Sequence, residues 1–278
     1  MGQCSYCGKD AGLLKKFHKE CKLRFDDGLS QIIETAAAGA VSTTDLVALQ
    51  STLVTIAKSS LVRRDAFIEA LVKGYENAVE RALEDEIISS EEEDALDAYK
   101  NHFQFEQTEL DENGAYTKLV QAGVLRDLME GKLPARINVQ GQLPFNLQKS
   151  EELVWVFQNV KYLEERQRTT YSGGYSGVSL RIAKGVYYRT GGFRGNPTIT
   201  STTVHVDTGL LGITTKHIYF SGSNKSFRAP YPKIVSFTPF SDGFGLQRDA
   251  MTAKPQSFVI GDGWFVYNLV TNLAQLAG

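Results

Sequence analysis

Apolar positions recur at intervals of three and four through the first half of the chain, which predicts amphipathic helices. Leu46, Leu49, Leu53 and Ile56 mark one of them, in STTDLVALQSTLVTIAKSS, behind Ser and Thr caps. Phe67, Leu71, Tyr75, Val79 and Leu83 mark the next. SSEEEDALDAYKNHF predicts a third, with a serine cap and acids in its first turn, where the helix dipole favours negative charge. NGAYTKLVQAGVLRDLMEG predicts another that ends at Gly131. Upstream, Leu13, Leu14, Phe17, Leu23 and Phe25 lead into LSQIIETAAAGA and predict a helix over 13–39.

The pattern changes at KLPARINVQGQLPFNLQKSE, where Pro134, Gly141 and Pro144 interrupt it. Short apolar runs separated by turn residues follow, and these predict strands. They are LVWVFQNVKYLEER, SLRIAKGVYYRT, TSTTVHVDTGLLGIT, KHIYFSG, SFRAPY, KIVSFTPF, GFGLQRD and QSFVIG, with hairpin turns at SNKS and SDGFG. The final DGWFVYNLVTNLAQL places Phe265, Leu269, Leu273 and Leu276 on one face of a closing helix. Trp155, Trp264 and the nearby phenylalanines are expected in the core.

At 278 residues, with 42% hydrophobic and 22% charged, the chain has room for a substantial core and does not read as disordered. The longest strong apolar run, LVWVF at 153–157, is far short of the roughly 20 residues that span a bilayer. MGQCSY nearly matches a myristoylation signal, but Tyr6 stands where Ser or Thr is required. No apolar signal core opens the chain, so a cytoplasmic location is expected. The net charge of −2 is unevenly spread. Residues 1–24 carry about +4, residues 25–149 about −11, and the remainder about +5. Three units are expected: a small finger over 1–24, an acidic helical domain over 25–135 and a β domain over 145–278.

All three cysteines fall within CSYCGKDAGLLKKFHKEC, residues 4–21. Cys4 and Cys7 form a C-x-x-C pair followed by Gly8, as in a zinc knuckle, so that one turn presents both sulfurs. His18 and Cys21 lie three apart within the predicted helix, on one face. Together the four make a closed Cys3His set of the kind that holds structural Zn2+, and no thiol is left over. A redox C-x-x-C would follow a strand and open a helix, and no such strand is predicted there. Four protein ligands leave no open position for water or substrate, so the metal is expected to be structural rather than catalytic.

Lys15, Lys16, Lys19, Lys22 and Arg24 surround these ligands. They suit either phosphate contact with a nucleic acid or, the favoured expectation, docking on the protein's own acidic helices. A second basic group, Arg166, Arg168, Arg181, Lys184, Arg189 and Arg194, accompanies the glycine-rich RTTYSGGYSG and RTGGFRGN. Ordinary hairpin turns with exposed cations are the favoured account there, and an anionic-ligand site the alternative. Neither run matches the P-loop or dinucleotide fingerprint. His102, His205 and His217 are far apart and carry no partner motif, and KHIYF reads as a strand with a packed or surface histidine. GYSG at 174–177 is one residue short of a nucleophile elbow.

Several antiparallel strands followed by one helix resemble the pleckstrin-homology or GRAM superfold and its bacterial relatives. The resemblance covers residues 145–276 and rests on GLLGITTKHIYFSGSNKSFRAPYPKIVSFTPFSDGFGL, in particular Gly212, Thr214, Lys216, Tyr219, Phe220, Lys233 and Ile234. It implies a β-barrel or sandwich closed by a helix, with headgroup-binding cations in the early hairpins, and a bacterial or phage-related source. ALEDEIISSEEEDALDAY loosely resembles the helical domains of tellurite-resistance-type proteins, which implies no activity. The expected fold class is thus α+β multidomain: zinc finger, helical middle and pleckstrin-homology-like β domain. No nucleophile–base pair assembles from the sequence. The expected function is non-enzymatic: a zinc-binding adaptor that engages a protein partner, with anionic lipid or nucleic acid as alternative ligands.

Overall fold

The computed structural model describes residues 2–12, 15–42, 45–84, 88–139, 141–183, 186–251 and 253–276, with side chains described outside 166–201. The chain separates into two units, 1–136 and 137–278.

The first unit opens with a small antiparallel ribbon, β1 (Gly2–Gln3) and β2 (Asp10–Gly12). Six helices follow: α1 (Lys19–Ser42), α2 (Leu46–Ser59), α3 (Arg64–Ala82), α4 (Ser90–Phe103), the short α5 (Gln107–Leu110) and α6 (Ala115–Met129). Helix α1 begins six residues later than the spacing predicts, because 10–12 pair as a strand. It then runs unbroken across the 24/25 boundary drawn from charge. Phe17 (37% exposed) and Leu23 (62%) therefore lie outside the core, although they fit the predicted apolar face. Small residues let α1 approach α3 closely. A methyl group added at Gly74 would lie 2.5 Å from Ala36 Cβ and 3.1 Å from the Ile33 carbonyl. The core between the helices is built from Ile32, Leu53, Tyr75, Val79, Leu96 and Tyr99.

Helix ends follow their capping chemistry. The Ser89 hydroxyl accepts from the Glu92 amide (3.2 Å) while the Glu92 carboxylate accepts from the Ser89 amide (3.0 Å), a complete capping box. The cap of α2 is Asp45, which accepts from the Ala48 amide at 2.9 Å, rather than the preceding Ser or Thr. After α6 the chain turns at Gly131 in the left-handed region. Arg136 then folds back to pair with Asp127 (2.6 Å) and Glu93, and Arg126 pairs with Glu93 at 2.5 Å.

The second unit is one seven-stranded antiparallel sheet and a helix. The strands are β3 (Leu153–Ala183), β4 (Val186–Thr214), β5 (His217–Gly222), β6 (Ser226–Pro230), β7 (Ile234–Phe240), β8 (Gly243–Arg248) and β9 (Gln256–Val259), followed by α7 (Gly263–Leu276). Their order across the sheet is β6-β5-β4-β3-β9-β8-β7. The expected barrel is not closed: β6 and β7 stand at the two edges and do not pair with each other among the described residues. The sheet is nevertheless strongly curled. Phe227 on β6 reaches Phe258 on β9 (6.2 Å) and lies 5.3 Å from the Arg248 guanidinium on β8, although β5, β4 and β3 intervene between β6 and β9 in the hydrogen-bonding order. Tyr162, Phe220, Phe244 and Phe258 fill the concave side. Twist and large aromatic side chains on one face drive such curling.

Two strand expectations need correction. The separate strands and glycine-rich turns expected between 153 and 214 are two continuous strands paired along their length, with Gly173 opposite Gly195 and Gly177 opposite Gly191. Ladder pairing uses only backbone N–H and C=O groups, which glycine supplies like any residue. The hairpins at SNKS and SDGFG form where the turn residues predict them. Helix α7 buries Phe265, Leu269 and Leu273, with the Phe265 ring 4.9 Å from Trp155, while Leu276 (46%) and Trp264 (48%) are exposed instead of packed. Among the described residues, no helix is long and apolar enough to cross a membrane.

Candidate metal centre

The loop between β1 and β2 carries Cys4 and Cys7. Its turn is fixed by two backbone bonds, Cys4 N–H to the Lys9 carbonyl (2.8 Å) and Gly8 N–H to the Cys4 carbonyl (2.9 Å). Gly8 sits at φ +74°, a conformation that the absence of a β-carbon makes accessible. A third bond, Ser5 N–H to the Lys16 carbonyl at 3.0 Å, holds this loop against the segment leading into α1. His18 precedes α1 and its carbonyl accepts from the Lys22 amide, so it occupies the cap position while Cys21 lies in the first turn. The expected pairing of the two is present, but with only Cys21 inside the helix.

The four donor atoms of Cys4, Cys7, His18 and Cys21 all lie within 4.8 Å of one another. His18 Nδ1 is 3.5 Å from Cys7 Sγ and 3.6 Å from Cys21 Sγ. A tetrahedral zinc ion about 2.3 Å from sulfur and about 2.0 Å from imidazole nitrogen requires a sulfur–nitrogen separation of about 3.5 Å. The donor set therefore fits zinc in chemistry, and its two sulfur–nitrogen separations match the ion's geometry. His18 Nε2 lies 2.9 Å from the Asp10 carbonyl, an outer bond that fixes the tautomer and leaves Nδ1 free to ligate.

Electrostatics point the same way. Burial pushes the Cys4 thiol up, yet the amides of Cys7, His18 and Tyr6 outweigh it and lower the thiol to about 6. The Cys21 thiol is pushed up to about 11 by burial and by the neighbouring sulfurs of Cys7 and Cys4. A divalent ion among the sulfurs would offset the repulsion that helps raise Cys21.

Around the centre, Tyr6 packs on Phe25 (4.9 Å) and Phe17 (5.9 Å), and Arg63 before α3 donates to the Ser5 carbonyl at 2.5 Å. Neither the Asp10 carbonyl nor Arg63 carried a signal in the sequence, since one acts through its backbone and the other from 58 residues away. Lys15, Lys16, Lys19 and Arg24 are exposed and make no ion pair among the described residues; Lys22 pairs with Asp26 at 2.5 Å. Their expected docking on the acidic helices is not observed. In the β unit, the side chains of Arg166, Arg168, Arg181, Arg189 and Arg194, and the whole of Lys184, lie outside the described residues.

One polar cluster was missed. The buried Glu151 carboxylate accepts from Thr214 Oγ1 (2.5 Å), the Gln148 amide (2.7 Å) and Tyr219 OH (2.9 Å), and lies 2.8 Å from His217 Nδ1. These bonds fasten the segment before β3 to the β4–β5 hairpin. His102 and His205 bond to Gln50 and Thr208, respectively. No protein-family model matches the chain, and no curated protein matches it significantly.

Proposed function

We propose that this chain is a non-enzymatic, cytoplasmic interaction protein whose zinc finger is structural and whose C-terminal unit, of pleckstrin-homology-like type, binds a protein partner. The observation that carries the reading is the Cys3His cluster, in which four side chains supply a full tetrahedral set and leave no vacant position for substrate. Bound zinc would cross-link β1, β2 and the start of α1, a segment too short to have a core of its own. Two features support the pleckstrin-homology-like assignment. A four-strand meander and a three-strand meander join through the β3–β9 pair, and one amphipathic helix closes the chain.

The metal part is tested by elemental analysis of purified protein, with one zinc per chain expected. The partner part is tested by affinity capture with tagged full-length protein in its native cell extract, with anionic-liposome sedimentation run alongside. Specific protein capture without liposome binding is the expected result. Liposome binding alone would replace the protein partner with a lipid surface.

A further inference from the structure

We propose that the concave surface beside the metal centre binds single-stranded nucleic acid. The cavity, about 1170 Å3, opens onto the metal centre, with Cys7, His18 and Cys21 among its lining. Its cations are Lys9, Lys15, Lys16, Lys19 and Arg24, beside Phe17, and Glu20 is the one carboxylate on its wall. Lys22 does not line this surface and pairs with Asp26 instead. Three thiolates and one zinc ion together leave a single negative charge, so the surface keeps a cationic surplus with the finger loaded.

The occupant follows from shape and chemistry. Lysine-rich clusters supply compact point charges, which track a phosphate backbone. The half-exposed Phe17 ring, held edge-on by Tyr6, supplies a stacking face for an unpaired base, and base stacking does not depend on sequence. A bilayer offers no unpaired base to stack on the Phe17 ring, and this contact separates a nucleic acid from a lipid surface. The acidic surface of the helices does not preclude binding, because exposed charges farther than about 8 Å away are largely screened at physiological salt. This proposal goes beyond the protein-partner reading and uses the metal centre only as a scaffold.

The test is fluorescence anisotropy of full-length, zinc-assayed protein with a labelled oligothymidylate across a salt series. Five phosphate contacts give a slope of log affinity on log salt of about −3.5 for a single strand. The triple variant Lys15→Glu, Lys16→Glu, Lys19→Glu should lose binding, and Phe17→Ala should weaken it about tenfold with the slope unchanged. Zinc content and helical circular dichroism equal to those of the parent keep misfolding out of the comparison. No binding by zinc-loaded protein at low salt, or undiminished binding by the triple variant, would overturn the proposal. Binding to anionic vesicles but not to the oligonucleotide would also overturn it and assign the surface to a membrane. Oligonucleotide binding by protein that proves zinc-free would uphold this site and remove the metal reading instead.

Discussion

Cys21 contributes a sulfur from the first turn of α1 and so joins the knuckle to the helix. Replacing it with serine removes a soft ligand and leaves three, so Cys21→Ser should lower zinc from one per chain towards none, as read by elemental analysis. Helix content near the N-terminus should fall while the β signal is spared. A different residue-scale test concerns Glu151. Burial pushes its carboxyl up, but hydrogen bonds from Thr214, the Gln148 amide, His217 and Tyr219 outweigh burial and hold it below the usual carboxylate range. A folded-state value below the unfolded one means that this stabilisation is complete above the ordinary glutamate range. It is lost as pH falls through the depressed value. Glu151→Ala strands several buried donors and should cost about 3 kcal/mol in urea unfolding of the β unit at neutral pH. The loss should shrink towards pH 3.

At the level of elements, close packing and capping make separable demands. Gly74→Ala gains helix propensity of about 1 kcal/mol, but its methyl group meets Ala36 and the Ile33 carbonyl. Backbone cannot yield as a side-chain tip can, so a net loss of about 1–3 kcal/mol is expected in thermal unfolding followed at 222 nm, the usual helix band. Ser89→Ala breaks the capping box of α4 and should cost about 1 kcal/mol by the same measurement. Most elements were legible in the sequence because each rests on a local signal. The caps of α4, the turn at Gly131 and the short strands β5 to β9 all follow from residues a few positions apart. The misread elements lacked such a signal. The start of α1 was displaced by a ribbon pairing Gln3 with Asp10, and β3 and β4 run through glycines that local rules assign to turns.

For the whole molecule, the division into two units predicts separate responses to metal removal. A strong chelator should lower the melting temperature of the N-terminal unit and leave the β unit unchanged, as followed by far-ultraviolet circular dichroism. A fragment covering 137–278 should melt at the same temperature with and without chelator. The sequence by itself determined the α+β class, the helical-to-β transition and which four side chains form the candidate metal set, because residue type, spacing and periodicity are local properties of a chain. Tertiary structure alone decided that the donors converge at zinc-like separations, that the sheet curls without closing, and that Glu151 meets side chains more than 60 residues away. It also left Lys15, Lys16, Lys19 and Arg24 exposed and without an ion pair among the described residues, while Lys22 pairs with Asp26. Those outcomes depend on where distant backbone segments come to rest, and short-range pattern carries no record of that.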